Sequence, residues 1–482
     1  MPPEAYSHDT FLSVFTWRYG SPEMRRLFSE HSNRATWRKL WVHLAEAQAG
    51  YGLVSKGELE DLRGKMTDVD IERSHEIEKR IRHDLMAEIR AYAEQAPVGS
   101  GKLHLGATSA DIEDNADMIR IRRALDLILT RLTACLASVT KIVSEHKGTV
   151  CMGWTHLQPA EPTTLGYRFA NYAQDLVLDV QLVEGLSRFT RGKGFKGADG
   201  TSSSYTTLVS PKGNPRALED AVMKKVGLEA FPVATQTYPR KIDYLVVTTL
   251  ASIAQSAHRF ASDIRLLQSP VFGELLEPIR EEQIGSSTMA FKRNPVTSER
   301  ICSLARYVAT LPTVAFMNAS NTLLERTLDD SANRRIIIPE GFLAVEEILL
   351  LYNSITSKLR LYPHMMKRNL ERFGIFSATE TLLIRLTALG ADRQAMHEKI
   401  RSYSFQAWEK VLNGEENPLI EMLRGDPTIR AKLASGEVDR LLDPSNYTGD
   451  AAERCTRFLA EVVQPILTRH KGRLAEQPPS VF

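Results

Sequence analysis

At 482 residues, 43% hydrophobic and 25% charged, the chain has the make-up of an ordinary globular protein, long enough for two or three domains over a large core. A formal net charge of +2 excludes the global field that draws nucleic acid or an anionic membrane, so any basic character that matters is local. Four widely separated cysteines (Cys135, Cys151, Cys302, Cys455) exclude a disulfide framework and a zinc site of paired ligands, and are expected as buried thiols.

The start, Met1-Pro2-Pro3-Glu4, lacks a charged residue followed by an apolar run, so no signal peptide is expected. No uninterrupted apolar stretch approaches the length of a bilayer span, and the expected location is cytoplasmic.

Residues 1–108 mix short helical patterns with turns. Trp37, Leu40, Trp41, Leu44 and Ala45 share one face at helical spacing, which assigns the tryptophans to the core. Upstream, the turn Arg18-Tyr19-Gly20-Ser21-Pro22 reads either as surface decoration or as a substrate clamp. The stretch Arg80 to Ala93 is charged on one side, and its Arg82-His83-Asp84 reads by itself as a solvated helix face.

At Thr108-Ser109-Ala110-Asp111 the character changes. This capping-box pattern opens a run to His146 without Gly or Pro, with apolar residues at three- and four-residue steps. Roughly thirty-six helical residues make a rod of about 54 Å, which implies a long bundle. Similar rods are expected at Thr163 to Arg191, Ile242 to Leu267, Pro295 to Leu328 with a kink at Pro312, and Pro339 to Leu361. Strand patterns are scarce, so the fold class is all-α with room for a small hairpin. The expected division is an N-terminal helical domain (1–108), a central long-helix bundle (109–363) and a C-terminal helical domain (364–482).

Gly192-Lys193-Gly194-Phe195-Lys196-Gly197 has the spacing of a dinucleotide loop, but it follows a helix and opens no βαβ unit, so that reading fails. A phosphate site lined by its backbone N–H groups stays open, ahead of a mobile run at residues 201–204. The stretch Gly285-Ser286-Ser287-Thr288-Met289-Ala290-Phe291-Lys292-Arg293-Asn294-Pro295 is a small-residue loop suited to movement. Asn294 is a good N-cap and Pro295 a good first helical residue. On spacing alone the stretch is a Ser-rich interhelical turn.

The order of those residues says more. The stretch resembles the Gly-Ser-Ser-x-Met-Pro-x-Lys-x-Asn-Pro signature of the fumarase/aspartase superfamily, departing only at Ala290, which stands where the superfamily has proline. Thr155-His156-Leu157-Gln158-Pro159-Ala160 resembles the superfamily's Thr-His-x-Gln-Pro-Ala motif. The loop His104-Leu105-Gly106-Ala107-Thr108-Ser109 completes the set in the expected order. Within the superfamily the chain resembles the adenylosuccinate lyase family. That likeness rests on Arg82-His83-Asp84, on Gln236-Thr237-Tyr238-Pro239-Arg240-Lys241, and on the segment from Arg326 to Arg335.

The resemblance implies elimination of fumarate from a succinyl nucleotide, giving AMP or the aminoimidazole carboxamide ribonucleotide. It implies Ser286 as general base, His156 as general acid, and Lys292 with Asn294 stabilising the aci-carboxylate intermediate, His83 positioning the substrate. Sequence alone does not choose Ser286 over Ser287. Substrate contacts are implied for Arg18, Tyr19, Arg82, Asp84, Thr108, Ser109, Thr155, Gln158, Gln236, Arg300, Arg326, Ser331 and Arg335. Cations at 18, 292, 300, 326 and 335 are expected to balance a substrate carrying roughly three to four negative charges. Neither metal nor cofactor is expected, and the resemblance implies a homotetramer with active sites shared between subunits. The competing expectations are another superfamily lyase, such as argininosuccinate lyase, and a catalytically silent relative; Ala290 alone encourages the latter, and predicts a looser loop.

Overall fold

The structure is a computed structural model that describes residues 9–279, 288–289 and 291–474. Six helices, α1–α6, occupy residues 14–95; they include α2 (Pro22–Leu27), α3 (Glu30–Ala49), α5 (Ile71–Ile81) and α6 (Asp84–Gln95). The centre runs α7 (Ser109–His146), a hairpin of β1 (Val150–Thr155) and β2 (Gln158–Thr164), and α8 (Leu165–Phe189). Two short helices, α9 (Ser203–Val209) and α10 (Pro215–Val226), precede α11 (Lys241–Gln268). Then come β3 (Leu275–Leu276), α12 (Val296–Ser320), α13 (Ser331–Ser357) and β4 (Arg360–Leu361). Helices α14–α21 fill residues 363–474 and end with α20 (Gln464–Arg469) and α21 (Lys471–Leu474).

The capping box forms at the start of α7, where the Thr108 N–H donates to Asp111 Oδ2 at 3.1 Å. Beyond it Ile112, Ala116, Ile128, Leu132, Leu136 and Val139 are all fully buried. By length and composition α7 could cross a bilayer, contrary to expectation, but packing encloses it: 61% of its most apolar window is buried within the protein. A core helix of a large bundle needs the same apolarity as a membrane span.

Helices α7, α8, α11, α12 and α13 run alternately up and down, giving the bundle two ends. At the first end Arg240, just before α11, pairs with Asp114 of α7, and Arg334 of α13 reaches Asp117. At the second end Trp154 packs edge-on to Phe272 with ring centroids 4.9 Å apart, and β3 pairs with β4. A separate apolar cluster gathers residues between Ile375 and Leu442, whereas Cys455, Val463 and Ile466 join the main core. Trp37 and Trp41 are buried as expected, and so are all four cysteines.

Several expected boundaries move. The charged stretch from Arg80 is two helices, because Arg82 adopts a left-handed conformation (φ 57°) that ends α5, and His83 becomes the N-cap of α6. α12 stops at Ser320 rather than Leu328, and α13 begins at Ser331 with Pro339 inside it. Pro339 removes one helical bond at a cost of about 3 kcal/mol. The nearly continuous burial from Ile337 to Tyr352 outweighs it. The hydroxyl run at 201–204, expected to be mobile, leads into α9.

Candidate active site

The first end of the bundle gathers most of the implied nucleotide contacts. A cavity of about 420 Å³ is lined by Asp84, Arg326, Ser331 and Arg335, with Glu113 and Asp117 of α7. Arg335 Nη2 donates to Asp84 Oδ2 at 2.6 Å. Burial pushes the Asp84 carboxyl up, but the Arg335 guanidinium and the Leu85 N–H more than reverse this and hold it below the usual carboxylate range. Arg326 donates to one oxygen of Asp330 at 2.9 Å, while Arg240 takes the other at 2.6 Å. Ser331 and Arg335 lie on the first turns of α13, so a single helix start carries both.

Arg82 and His83 form the bend beside this cavity. His83 Nδ1 accepts from the Met86 N–H at 3.4 Å and lies 3.7 Å from Asp84 Oδ1, which leaves the imidazole half-exposed. Thr108 and Ser109 are close by at the head of α7. Gln236 is half-buried, and its backbone N–H donates to the Glu325 carbonyl at 3.3 Å. In the same stretch Tyr238 and Arg240 are structural. The Tyr238 hydroxyl accepts from Arg334 at 2.6 Å, and Arg334 also binds Asp243 and Asp117.

Glu113 went unnoticed in the sequence because it reads as one more charge on a helix. Burial, then Asp84, Asp114 and Asp117, push its carboxyl up to about 8. Six arginines and six carboxyl groups line this cavity, so with Glu113 protonated near neutral pH one chain supplies an excess of about one positive charge there.

A second group sits part-way along the bundle. The Arg300 guanidinium lies 6.0 Å from the Tyr19 ring centroid, and Arg18 lies 5.9 Å from the same ring. The next N–H, of Gly20 (φ 76°), donates to Glu347 Oε2 at 3.1 Å. A Cβ at Gly20 would come within 2.6 Å of Leu343, so only glycine lets this turn approach α13. Between Arg335 and Glu347 the helix advances about 18 Å, which separates this group from the first.

The third group is at the opposite end. His156 and Leu157, with φ 55° and 59°, form the two-residue turn of the β1–β2 hairpin, and Thr155 pairs with Gln158 beside it. All four are exposed. Two successive left-handed residues match the hairpin's twist, which projects the imidazole at the tip. Lys292 and Asn294 are at this end too, ahead of α12. Ser286, Ser287 and Ala290 lie outside the described residues.

The start of α12 is capped differently from expectation. The carboxylate of Glu277, fully buried, accepts from the Thr297 N–H (2.8 Å), the Ser298 N–H (3.0 Å) and the Ser298 hydroxyl (2.8 Å). A carboxylate satisfies orphan donors and the helix dipole together, so it displaces the Asn294 cap. Gln268 accepts from the Glu277 N–H and donates to the Arg293 carbonyl, both at 3.0 Å, and so ties together the two ends of the signature segment. Neither residue carried a signal in the sequence.

One expectation fails here. The glycine loop at 192–197 does not offer its backbone to a phosphate. The N–H groups of Lys196 and Gly197 donate to Asp111, that of Gly194 to Asn115, and that of Phe195 to Glu219. Buried amides take the nearest fixed acceptor, and here the protein supplies it. The cations at 18, 292, 300, 326 and 335 stand at three levels of one chain, because a bundle this long spreads them along its length.

Residues 43–309 match the lyase family, and residues 376–458 match the adenylosuccinate lyase C-terminus. The adenylosuccinate lyase of Saccharomyces cerevisiae is 39% identical over 467 residues, covering 95% of this chain and 96% of that protein. The chain belongs to the adenylosuccinate lyase family. A second member, from Schistosoma mansoni, is 38% identical over 478 residues, covering 97% and 98%. The fold matches 3-carboxy-cis,cis-muconate lactonizing enzyme from Pseudomonas putida with a TM-score of 0.83 at 25% identity, over 94% of this chain and 99% of that one.

Proposed function

We propose that this protein eliminates fumarate from adenylosuccinate to leave AMP, and from succinylaminoimidazole carboxamide ribonucleotide to leave its aminoimidazole counterpart. The observation that carries this is a likeness to adenylosuccinate lyases over nearly the whole chain, together with one cavity that holds Asp84, Arg326, Ser331 and Arg335.

The chemistry removes a proton from the carbon beside a carboxylate while a C–N bond breaks on the opposite face. In this reading Ser286 takes the proton, and His156, an imidazole working near neutral pH, gives one to the departing nitrogen. Lys292 and Asn294 stabilise the aci-carboxylate that forms between the two steps. Arg326, Ser331 and Arg335 hold the phosphate, the two arginines releasing Asp330 and Asp84 as they do so, and His83 orients the base. Arg18, Tyr19 and Arg300 take a carboxylate. No metal or organic cofactor is assigned a role.

The working form in this reading is a homotetramer whose sites combine segments of several chains, located in the cytoplasm. Its support is the separation of the three groups along the bundle and an uncovered apolar face: Leu178 is 51% exposed, Leu182 47% and Phe189 63%, all on the outer side of α8. The test is fumarate release from adenylosuccinate by purified protein, followed by absorbance. Ser286→Ala is expected to abolish release while nucleotide binding persists; near-normal turnover removes Ser286 from its role. A substrate panel including argininosuccinate separates this reading from the neighbouring lyase, and light scattering reads the subunit number.

A further inference from the structure

Beside the lyase cavity, with which it shares Ser29, a cleft of about 1440 Å³ lies between α2, α3, α7, α10 and the C-terminal helices α20 and α21. Arg26, Lys39 and Arg123 line it, all exposed, and none of them is engaged in an ion pair among the described residues. The other cations on its walls are already neutralised: Lys225 by Glu46 at 2.8 Å, Arg469 by Glu184 at 3.0 Å, and Arg473 by Asp126 at 2.6 Å. Its remaining carboxylate, Glu23, faces Arg131 at 3.8 Å. Three cations from three different helices therefore converge on one cleft with their charge unanswered.

The rest of the wall is not polar. Leu27, Leu40, Met66, Ile119, Leu127 and Val226 give the cleft an apolar side. His43 also lines it, and burial lowers the basicity of its imidazole. Its Nδ1 lies 3.3 Å from Glu46, while its Nε2 is buried without a hydrogen-bond partner. Because Nε2 is sealed from solvent, His43 gives the cleft ring surface and no polar contact through that atom. An occupant that satisfies this wall carries several negative charges and an apolar part. The volume is ample, since ligand pockets typically run about 300–1,000 Å³.

We propose that this cleft is a second ligand site, separate from the lyase centre, that binds a nucleoside polyphosphate. The phosphates lie against Arg26, Lys39 and Arg123, and the base lies on the apolar wall beside His43.

Calorimetric titration of the intact protein with ATP, and separately with tripolyphosphate, tests this. Four proteins are compared: wild type, Arg335→Gln, the double variant Lys39→Glu/Arg123→Glu, and the milder Arg26→Gln. ATP is expected to bind wild type and Arg335→Gln alike, at least tenfold more weakly to the double variant, and measurably more weakly to Arg26→Gln. Turnover and melting temperature of the double variant should match wild type, because these side chains are solvent-facing and neither lines the lyase cavity. Binding that disappears in Arg335→Gln, or that survives both cleft variants, would place ATP in the lyase cavity and overturn the proposal. Tripolyphosphate binding as tightly as ATP would overturn the nucleoside assignment. Because binding is read directly, these outcomes do not depend on which substrate the lyase site accepts.

Discussion

Thr108 and His156 lie beyond opposite ends of the same helix. α7 separates them by 38 residues, about 57 Å of rod. One substrate molecule therefore meets both only if they come from different chains. Mixing His156→Gln protein with His83→Gln protein and allowing subunits to exchange should restore activity, to about a quarter of wild type for random assembly. Each variant alone should retain about 1% or less. A mixture no more active than its parents would mean that the groups act within one chain.

The Arg335–Asp84 contact at 2.6 Å holds the arginine ready at the start of α13. Arg335→Gln should raise KM for the nucleotide substrate by about 10–100-fold with kcat little changed, as expected for a group that binds ground and transition states alike. Asp84→Asn loosens the arginine without removing it, so a smaller rise is expected. A fall in kcat at constant KM would assign Arg335 to the chemical step instead.

Glu277 closes the N-terminus of α12 with three hydrogen bonds. Glu277→Ala should cost about 1–3 kcal/mol of stability. It should also lower turnover, because the helix start positions Lys292 and Asn294. Glu277→Gln keeps the shape but loses charge against the dipole, and should recover part of both losses. Melting curves and initial rates check this; stability lost without any change in rate would leave Glu277 a purely structural cap.

Glu113 gives a pH signature with a defined sign. Its carboxyl titrates near 8 in the folded protein against an ordinary value of 4.5. Between those values the folded state keeps a proton that the unfolded chain has released, so this group erodes stability as pH rises through the window. Glu113→Gln should therefore stabilise the protein at pH 9 and leave it nearly unchanged at pH 4.5. The gain should be on the order of 1–3 kcal/mol once partial solvent screening is allowed for. A variant that stabilises equally at both pH values would contradict the assignment.

Asp111 accepts from Lys193 Nζ at 2.5 Å, from the Lys196 N–H at 3.1 Å and from the Tyr205 hydroxyl at 3.1 Å. Asp111→Ala strands the fully buried Lys193, at a cost of about 3–5 kcal/mol. Soluble yield should fall sharply. Pairing that change with Lys193→Met should restore much of it; no rescue would show that the loop depends on Asp111 through its backbone bonds alone.

The long rods were readable from the chain itself, because burial of one helix face writes a three- and four-residue period into the sequence. The α7 capping box is likewise local: Thr108 and Asp111 are three residues apart and need no other segment. The motif stretches at 155–160 and 285–295 were legible through family resemblance, which also supplied the roles proposed for His156 and Lys292.

What remained hidden depends on contacts between distant segments. Arg334 and Arg335 are adjacent and chemically identical, yet one is buried and locked among Asp117, Asp243 and Tyr238 while the other is largely exposed and holds Asp84. Only the helix rotation of about 100° between neighbours separates them, and packing sets which side faces inward. Glu277 as the α12 cap, Gln268 as the tie across the signature segment, and Asp111 as the anchor of the glycine loop are all long-range pairings. Sequence determined which residues are the candidates for the proposed chemistry and which long helices form. Tertiary structure decided which arginines are spent on the fold and at which end of the bundle each group stands, because those depend on where the rods lie side by side.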